Sequence, residues 1–495
     1  MNYLYPLMRL NSIFSKTGIP LVVVASAITL CIAFTEVYLT SAHKKIKTMS
    51  LSASQEEEYE SNYDQISDFQ FNTTRGTEAS KNPYLSLIID GIRHHKFNDN
   101  IIRTLISIGI PEENLSASYI TYFYLLIKNR SYGTVIDLLE KNNLPQRLTT
   151  GTQFYYALAL SKKSLYEESL TQYKALIDEN KNHQSATLNS AILLQKLKRY
   201  EEAIQYFSQA VVITSGLRKS KSLAGIAHCN RLMGNFSEAI THYQKSIEYR
   251  PADKVTWRLL ADSMSLSGQP FEQVVNTYNK SIALDRKYAI AIENKAKYQL
   301  QQLDFYGALE TLKTINKDKN NSIEIQMIKA WIYLEIGKTS KGRQTLKNIK
   351  NYVDIRKRNI KSNKSIDIIN HLESIFNKDY ESINNKNWNT LPPEILYLQA
   401  LSNSKRGKST LAIKQLSILQ LQPKLSARAS FAIARTHKSK KRYDSASDIY
   451  QTLLSSHSHS SSLWFESSKL KFKQHNVQLA LTHIKNALKI QPNNK

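Results

Sequence analysis

Few residues in this chain are placed to do chemistry. Histidine, the side chain most often used for metal ligation and for proton transfer near neutral pH, occurs 12 times in 495 residues. Only His94-His95 and the run His457-Ser458-His459-Ser460 bring two of them close in sequence. Neither pair has carboxylates or thiolates at the spacing of a metal shell. Two histidines in a serine-rich turn are expected to be simply exposed. The two cysteines, Cys31 and Cys229, are far apart and support neither a disulfide framework nor a thiolate site. There is no phosphate-cradling glycine loop, no His-Glu metal helix and no nucleophile elbow. The sequence therefore predicts no catalytic residue, no metal and no cofactor, and a protein that is not an enzyme.

What remains is positive charge. The formal net charge is +26, and residues 336–495 hold 29 Lys and Arg against 9 Asp and Glu. The excess is concentrated in short runs: Lys405, Arg406 and Lys408; Lys438, Lys440, Lys441 and Arg442; Lys471 and Lys473; and the stretch 356–364. Taken singly, each run is an ordinary solvated turn. If the turns line up, they form a positive edge able to dock an acidic polysaccharide or anionic lipid headgroups. Nucleic acid is a weaker expectation, because aromatic residues are not interleaved with the lysines as a stacking platform requires.

Whether the runs line up depends on the elements that carry them. Gly (14) and Pro (11) are scarce, which argues against the many turns of a sandwich or barrel. Self-similarity at a period of 34 residues supplies the architecture. Small, aromatic and small residues recur in register: Ala191, Ala203, Phe207, Ala210; then Ala227, Ala239, Tyr243; then Ala434, Ala446, Tyr450; then Ala480, Ala487. Units begin near 116, 150, 184, 220, 254, 289, 323, 393, 427 and 461. In such a unit, Ala on the first helix sits where the second helix crosses, and the aromatic residue fills the groove toward a neighbour. No unit buries its apolar face alone, so the units must stack.

This pattern resembles the tetratricopeptide repeat. The resemblance implies an all-α, right-handed superhelical solenoid of about 10–12 helix-turn-helix units that binds partner proteins or peptides in a concave groove, with no cofactor. Some members clamp acidic peptide tails with Lys, Asn and Arg on adjacent first helices. Here Asn189 and Lys221 match that clamp, but Phe154, Leu158 and Gly225 stand at its other positions, so this specificity is not carried over. Trp257, Trp331 and Trp464, expected near the starts of first helices, read as packing residues.

Ahead of the repeats, Ile19–Phe34 carries no charge and reaches the length of a membrane span with the residues that follow it. It reads as an uncleaved signal anchor, with a signal peptide cleaved after Thr40-Ser41-Ala42 and a buried soluble helix as the alternatives. The expected organisation is a short basic segment (1–18), a transmembrane signal-anchor helix (19–40), a polar acidic linker (41–80), degenerate capping repeats (81–149), repeats (150–356), a degenerate basic repeat (357–392) and C-terminal repeats (393–495). The expected function is a membrane-anchored, non-catalytic scaffold in assembly or export at the cell envelope. It would be a single-pass protein of a bacterial inner membrane with the repeats in the periplasm. The alternatives are a direct binder of an acidic polymer, or a cytosol-facing receptor for polypeptide clients.

Overall fold

The computed structural model describes residues 123, 124, 126, 127, 130–141, 150–315, 322–356, 363–383 and 388–492. The expected membrane helix at 19–40, the linker at 41–80 and most of the expected capping repeats at 81–149 lie outside these residues. Among the described residues, no helix is long and apolar enough to cross a membrane. The described secondary structure is all helical, and the chain divides into two compact units, 1–213 and 214–495.

In the first unit the helices are α1 (Tyr132–Lys141), α2 (Thr150–Lys162), α3 (Tyr166–Glu179), α4 (Gln184–Lys196) and α5 (Tyr200–Ile213). Consecutive helices pack on one another as antiparallel pairs. Ala191, Ala203 and Ala210 are fully buried and Phe207 nearly so, which lets the α4 and α5 backbones approach closely.

The second unit runs from α6 to α20. Its first members are α6 (Gly216–Met233), α7 (Phe236–Tyr249), α8 (Lys254–Leu266), α9 (Phe271–Leu284), α10 (Ala289–Gln301), α11 (Phe305–Lys313), α12 (Ile323–Glu335) and α13 (Thr339–Arg356). After α14 (Asn363–Phe376) come α15 (Pro393–Lys405), α16 (Ser409–Leu419), α17 (Ser426–Ser439), α18 (Tyr443–Ser456), α19 (Ser461–Lys473) and α20 (Val477–Ile490). First helices also touch the next first helix, as α8 does α10 and α15 does α17. Ala227, Ala239, Tyr243, Ala434, Ala446 and Tyr450 have no exposed surface, and Ala480 and Ala487 are buried.

One backbone device ends the first helices. A residue with positive φ closes the helix at Ser164, Lys198, Gly234, Gly268, Leu303, Gly337, Gly407, Lys441 and His475. The next N–H then reaches back five residues to a helix carbonyl, from Arg199 to Leu194 and from Lys338 to Tyr333, both at 2.9 Å. This is the left-handed stop that satisfies orphan carbonyls at a helix end. Four of these nine positions are glycine; the others hold L side chains in a conformation they disfavour.

The degenerate stretch keeps part of this plan. α14 ends with Lys378 at φ +62°, and Asp379 N–H bonds Ser374 at 2.8 Å. Its Phe376 ring lies against Gly342 of α13, with ring atoms 2.3 Å from where a Cβ would stand. Gly342 takes the place that Ala203 and Ala239 fill in other second helices, and the ring leaves no room for alanine there.

Candidate functional site

The tyrosines of the second helices do more than fill grooves. Tyr173, Tyr243 and Tyr278 bury their rings and send their hydroxyls toward the first helices. Tyr173 Oη accepts from Asn189 Nδ2 at 3.0 Å. Tyr278 Oη donates to Asp262 Oδ1 at 2.5 Å, and Tyr243 Oη lies 3.5 Å from His228 Nδ1. Burial is the main reason all three phenols stay protonated far above their ordinary range.

Around them, the first helices of the second unit carry a chain of paired charges. Asp262 receives Arg258 Nη1 at 2.9 Å and Asn294 Nδ2 at 3.1 Å, and Arg258 Nε donates to Tyr288 Oη at 2.8 Å. His228 lies 3.3 Å from Arg231 Nη2, and burial, with help from Arg231 and Arg258, depresses its pKa to about 4. Glu335, with 1% of its side chain exposed, accepts from Arg428 at 2.7 Å and from Tyr397 Oη at 2.8 Å, while Arg435 approaches to 3.6 Å. The Arg428 guanidinium lies over the mutually tilted Trp331 and Tyr397 rings, 4.7 Å from each centroid. None of these residues was singled out as an ion pair from sequence. Arg258 and Asp262, at i and i+4 of one helix, carried a local signal, whereas Glu335 and Arg428, 93 positions apart, share none.

Trp331 is the ninth residue of α12, so its expected place near the helix start is corrected; it lies mid-helix. Trp257 and Trp464 are each the fourth residue of a first helix. Each indole N–H bonds a carbonyl six residues earlier, Pro251 O and Ser458 O, at 2.8 Å. Both pin the loop that joins one unit to the next.

The histidine run 457–460 is also corrected. His457 and His459 are half-buried and Ser460 is buried. His459 Nε2 lies 3.0 Å from Gln302 O, Ser460 Oγ donates to Leu303 O at 2.7 Å, and the His459 ring stacks on Phe271 at 3.5 Å. The run therefore joins two turns of the second unit 157 residues apart. Beside this strut lies a cleft of 1060 Å³, lined by Glu272, Asp304, Lys313, Lys329 and Lys341 among others. Among the described residues, no group of three or more His, Cys, Asp or Glu could hold a metal ion.

The basic runs lie at the ends of first helices and in the turns after them. Lys405, Lys408, Lys440, Lys441, Arg442 and Lys473 are exposed. The 404–408 and 438–442 turns are neighbours, with Lys440 Nζ 3.8 Å from the Cβ position of Gly407. Three residues of the expected edge are engaged within the protein: Arg406 with Glu381, Lys438 with Glu466, and Lys471 with Ser447 Oγ at 2.5 Å. Lys438 belongs to the last turn of α17 rather than to the following loop, because the left-handed stop comes only at Lys441.

At the far end of the second unit, α19 and α20 leave an open groove of 420 Å³. It is lined by Phe465, Phe472, Val477, Leu481 and Ile484, with Lys438, Lys469 and Lys473 at its rim.

Residues 183–252 match the tetratricopeptide repeat family model. The chain carries tetratricopeptide repeats there. A probable UDP-N-acetylglucosamine–peptide N-acetylglucosaminyltransferase SPINDLY of Hordeum vulgare is 25% identical over 175 residues. That stretch is 33% of this chain and 18% of the relative's own length. Among solved structures, the APC/C hetero-tetramer Cut9–Hcn1 gives a TM-score of 0.46 at 13% identity, over 76% of this chain and 80% of that one. Pseudomonas aeruginosa pilF gives 0.37 at 14% identity, over 44% and 98%. Crystalline MamA gives 0.29 at 14% identity, over 32% and 91%.

Proposed function

We propose that this chain is a non-catalytic scaffold that binds partner proteins or peptides along the first-helix face of its repeats. It would be held at a membrane by residues 19–40 and serve assembly or export at the cell envelope. The observation that carries the binding reading is the run of polar and aromatic side chains repeated in register on that face. His228, Asp262, Lys297 and Trp331 stand at the ninth position of four successive repeats, and Arg435 at that of a later one, beyond Leu401. The row offers a ligand spaced donors and acceptors from His228, Asp262, Lys297 and Arg435, while Trp331 is buried behind it, as groove recognition of a helix or extended peptide can use. Support for the anchor is the uncharged run Ile19–Phe34.

A photo-crosslinker placed at Lys297 or Arg435, compared with one at exposed Lys245 on the second helix α7, tests the binding face. Partner crosslinks from the first-helix positions alone support it; crosslinks from Lys245 alone sink it. Protease protection of membrane-bound protein tests the anchor and its direction. Digestion from the exported side places the repeats outside the cytosol. Digestion from the cytosolic side favours a receptor for polypeptide clients. Release of the whole chain by salt alone removes the anchor.

The exposed residues Lys405, Lys408, Lys440, Lys441, Arg442 and Lys473 favour a second reading, in which an acidic polymer lies along the turns. Binding of a sulfated or carboxylated polysaccharide that falls steeply with salt supports it.

A further inference from the structure

The groove between α19 and α20 repeats a geometry that is covered one unit earlier. Phe431 of α17 and Tyr450 of α18 stand 34 residues before Phe465 and Ile484. They have 1% and 0% of their surface exposed, in one cluster with Leu463 and Leu470 of α19. The helix α19, laid on that pair, buries Leu463, Ser467 and Leu470, spaced i, i+4 and i+7. In the last pair, the equivalent surface is open: Phe465 is 38% exposed, Phe472 66%, Val477 50% and Leu481 48%. Phe465, Phe472, Val477 and Leu481 thus form a stripe already shaped for one more helix.

The charge around the stripe selects which helix. Residues 461–490 hold five lysines and one acid, Glu466. That acid is taken up by Lys438 and lies 3.3 Å from Lys469. Lys473 is exposed at the rim, and the Lys469 ammonium lies over the Phe465 ring at 4.0 Å.

We propose that this groove is a docking site for an amphipathic α-helix of a partner protein, with an apolar stripe at i, i+4 and i+7 and acidic residues flanking it. The stripe continues the packing of the repeats, and the flanks meet Lys469 and Lys473. Phe465, Lys469 and Phe472 lie on α19, itself a first helix, so the site adjoins the face of the scaffold reading and rests on it in part. Peptide binding read at Phe472 and Leu481 fails or holds separately from crosslinks at Lys297 and Arg435.

The test is a fluorescent 18-residue peptide with Leu at i and i+7, Ala at i+4 and Glu on both flanks, titrated with the purified full chain. Saturable binding is expected, with a scrambled peptide at least tenfold weaker. Phe472→Glu and Leu481→Glu should each weaken binding tenfold or more while circular dichroism and Tm stay unchanged, since both side chains are largely exposed. Lys469→Glu with Lys473→Glu should do the same, and a Lys-flanked peptide should restore binding to that variant. Equal affinity for the scrambled peptide, or unchanged affinity in folded Phe472→Glu, overturns the proposal. So does a dimer lost in Phe472→Glu without peptide binding, which would assign the groove to a second copy of the chain.

Discussion

Glu335 and Arg428 are 93 residues apart in sequence and meet at 2.7 Å in the interior of the second unit. Tyr397 donates to the same carboxylate, and the guanidinium lies over both the Trp331 and Tyr397 rings. Such a cluster is costly to desolvate and strong once complete, so removing one member leaves an uncompensated buried charge. Glu335→Ala should destabilise the protein by about 3–5 kcal/mol. Thermal unfolding should show a drop of roughly 10 °C. A change under 2 °C would mean that water reaches the pair. Glu335→Met with Arg428→Met should cost much less than either single change.

Gly342 should behave opposite to helix propensity. In an open helix, Gly→Ala gains about 1 kcal/mol. Here the Phe376 ring occupies the space of the new methyl group. Gly342→Ala should lower Tm by several degrees, and adding Phe376→Leu should recover most of the loss. A stabilised Gly342→Ala protein would show that α14 does not lie on α13 as described.

The turn at Lys441 holds an L side chain at φ +59°, in exposed surroundings. Relief of left-handed strain, about 1–2 kcal/mol, outweighs the extra unfolded-state freedom of glycine, roughly 0.5–1 kcal/mol. Lys441→Gly should therefore raise stability slightly, read as a small gain in the urea midpoint without a change in slope. Lys441→Val should lower it. Leu303, at φ +63°, is buried with its carbonyl bonded to Ser460, so its replacement by glycine should destabilise instead.

Acid should weaken the second unit through its buried histidines. Burial holds both His228 and His459 to about 4, against about 6.5 in an unfolded chain. Between pH 6.5 and 4 the unfolded chain binds protons that the folded protein refuses, so stability falls as pH falls. The contribution is complete above pH 6.5 and lost on the way to pH 4. Tm should be flat from pH 8 to 7 and decline below 6.5, with a shallower decline in His228→Gln with His459→Gln. A Tm independent of pH down to 4.5 would contradict the burial of His228 and His459.

Replacing Lys440, Lys441 and Arg442 with Ser separates fold from charge. The three are exposed, and α17 and α18 should form normally. Binding to an acidic polysaccharide column should weaken severalfold if the turn docks polyanions. Retention at the same salt concentration would remove the turn from that role.

The order of helices was readable because its cause is local. Ala191, Ala203, Ala227 and Ala239 mark helix crossings, where only a small side chain lets two backbones meet, and that requirement recurs at a fixed spacing. The positive turns were readable for the same reason, since lysines follow the last buried residue of a first helix. Tertiary structure decided the rest. It took Lys438 and Arg406 out of the free charge by setting Glu466 and Glu381 beside them. It turned His459 from an exposed turn residue into a strut against Gln302. It also brought Glu335 to Arg428 across a stretch where the repeat is degraded. Steric demands between neighbouring helices leave a periodic trace in sequence, whereas electrostatic pairing across stacked units depends on how the whole stack curves, and no local pattern records that.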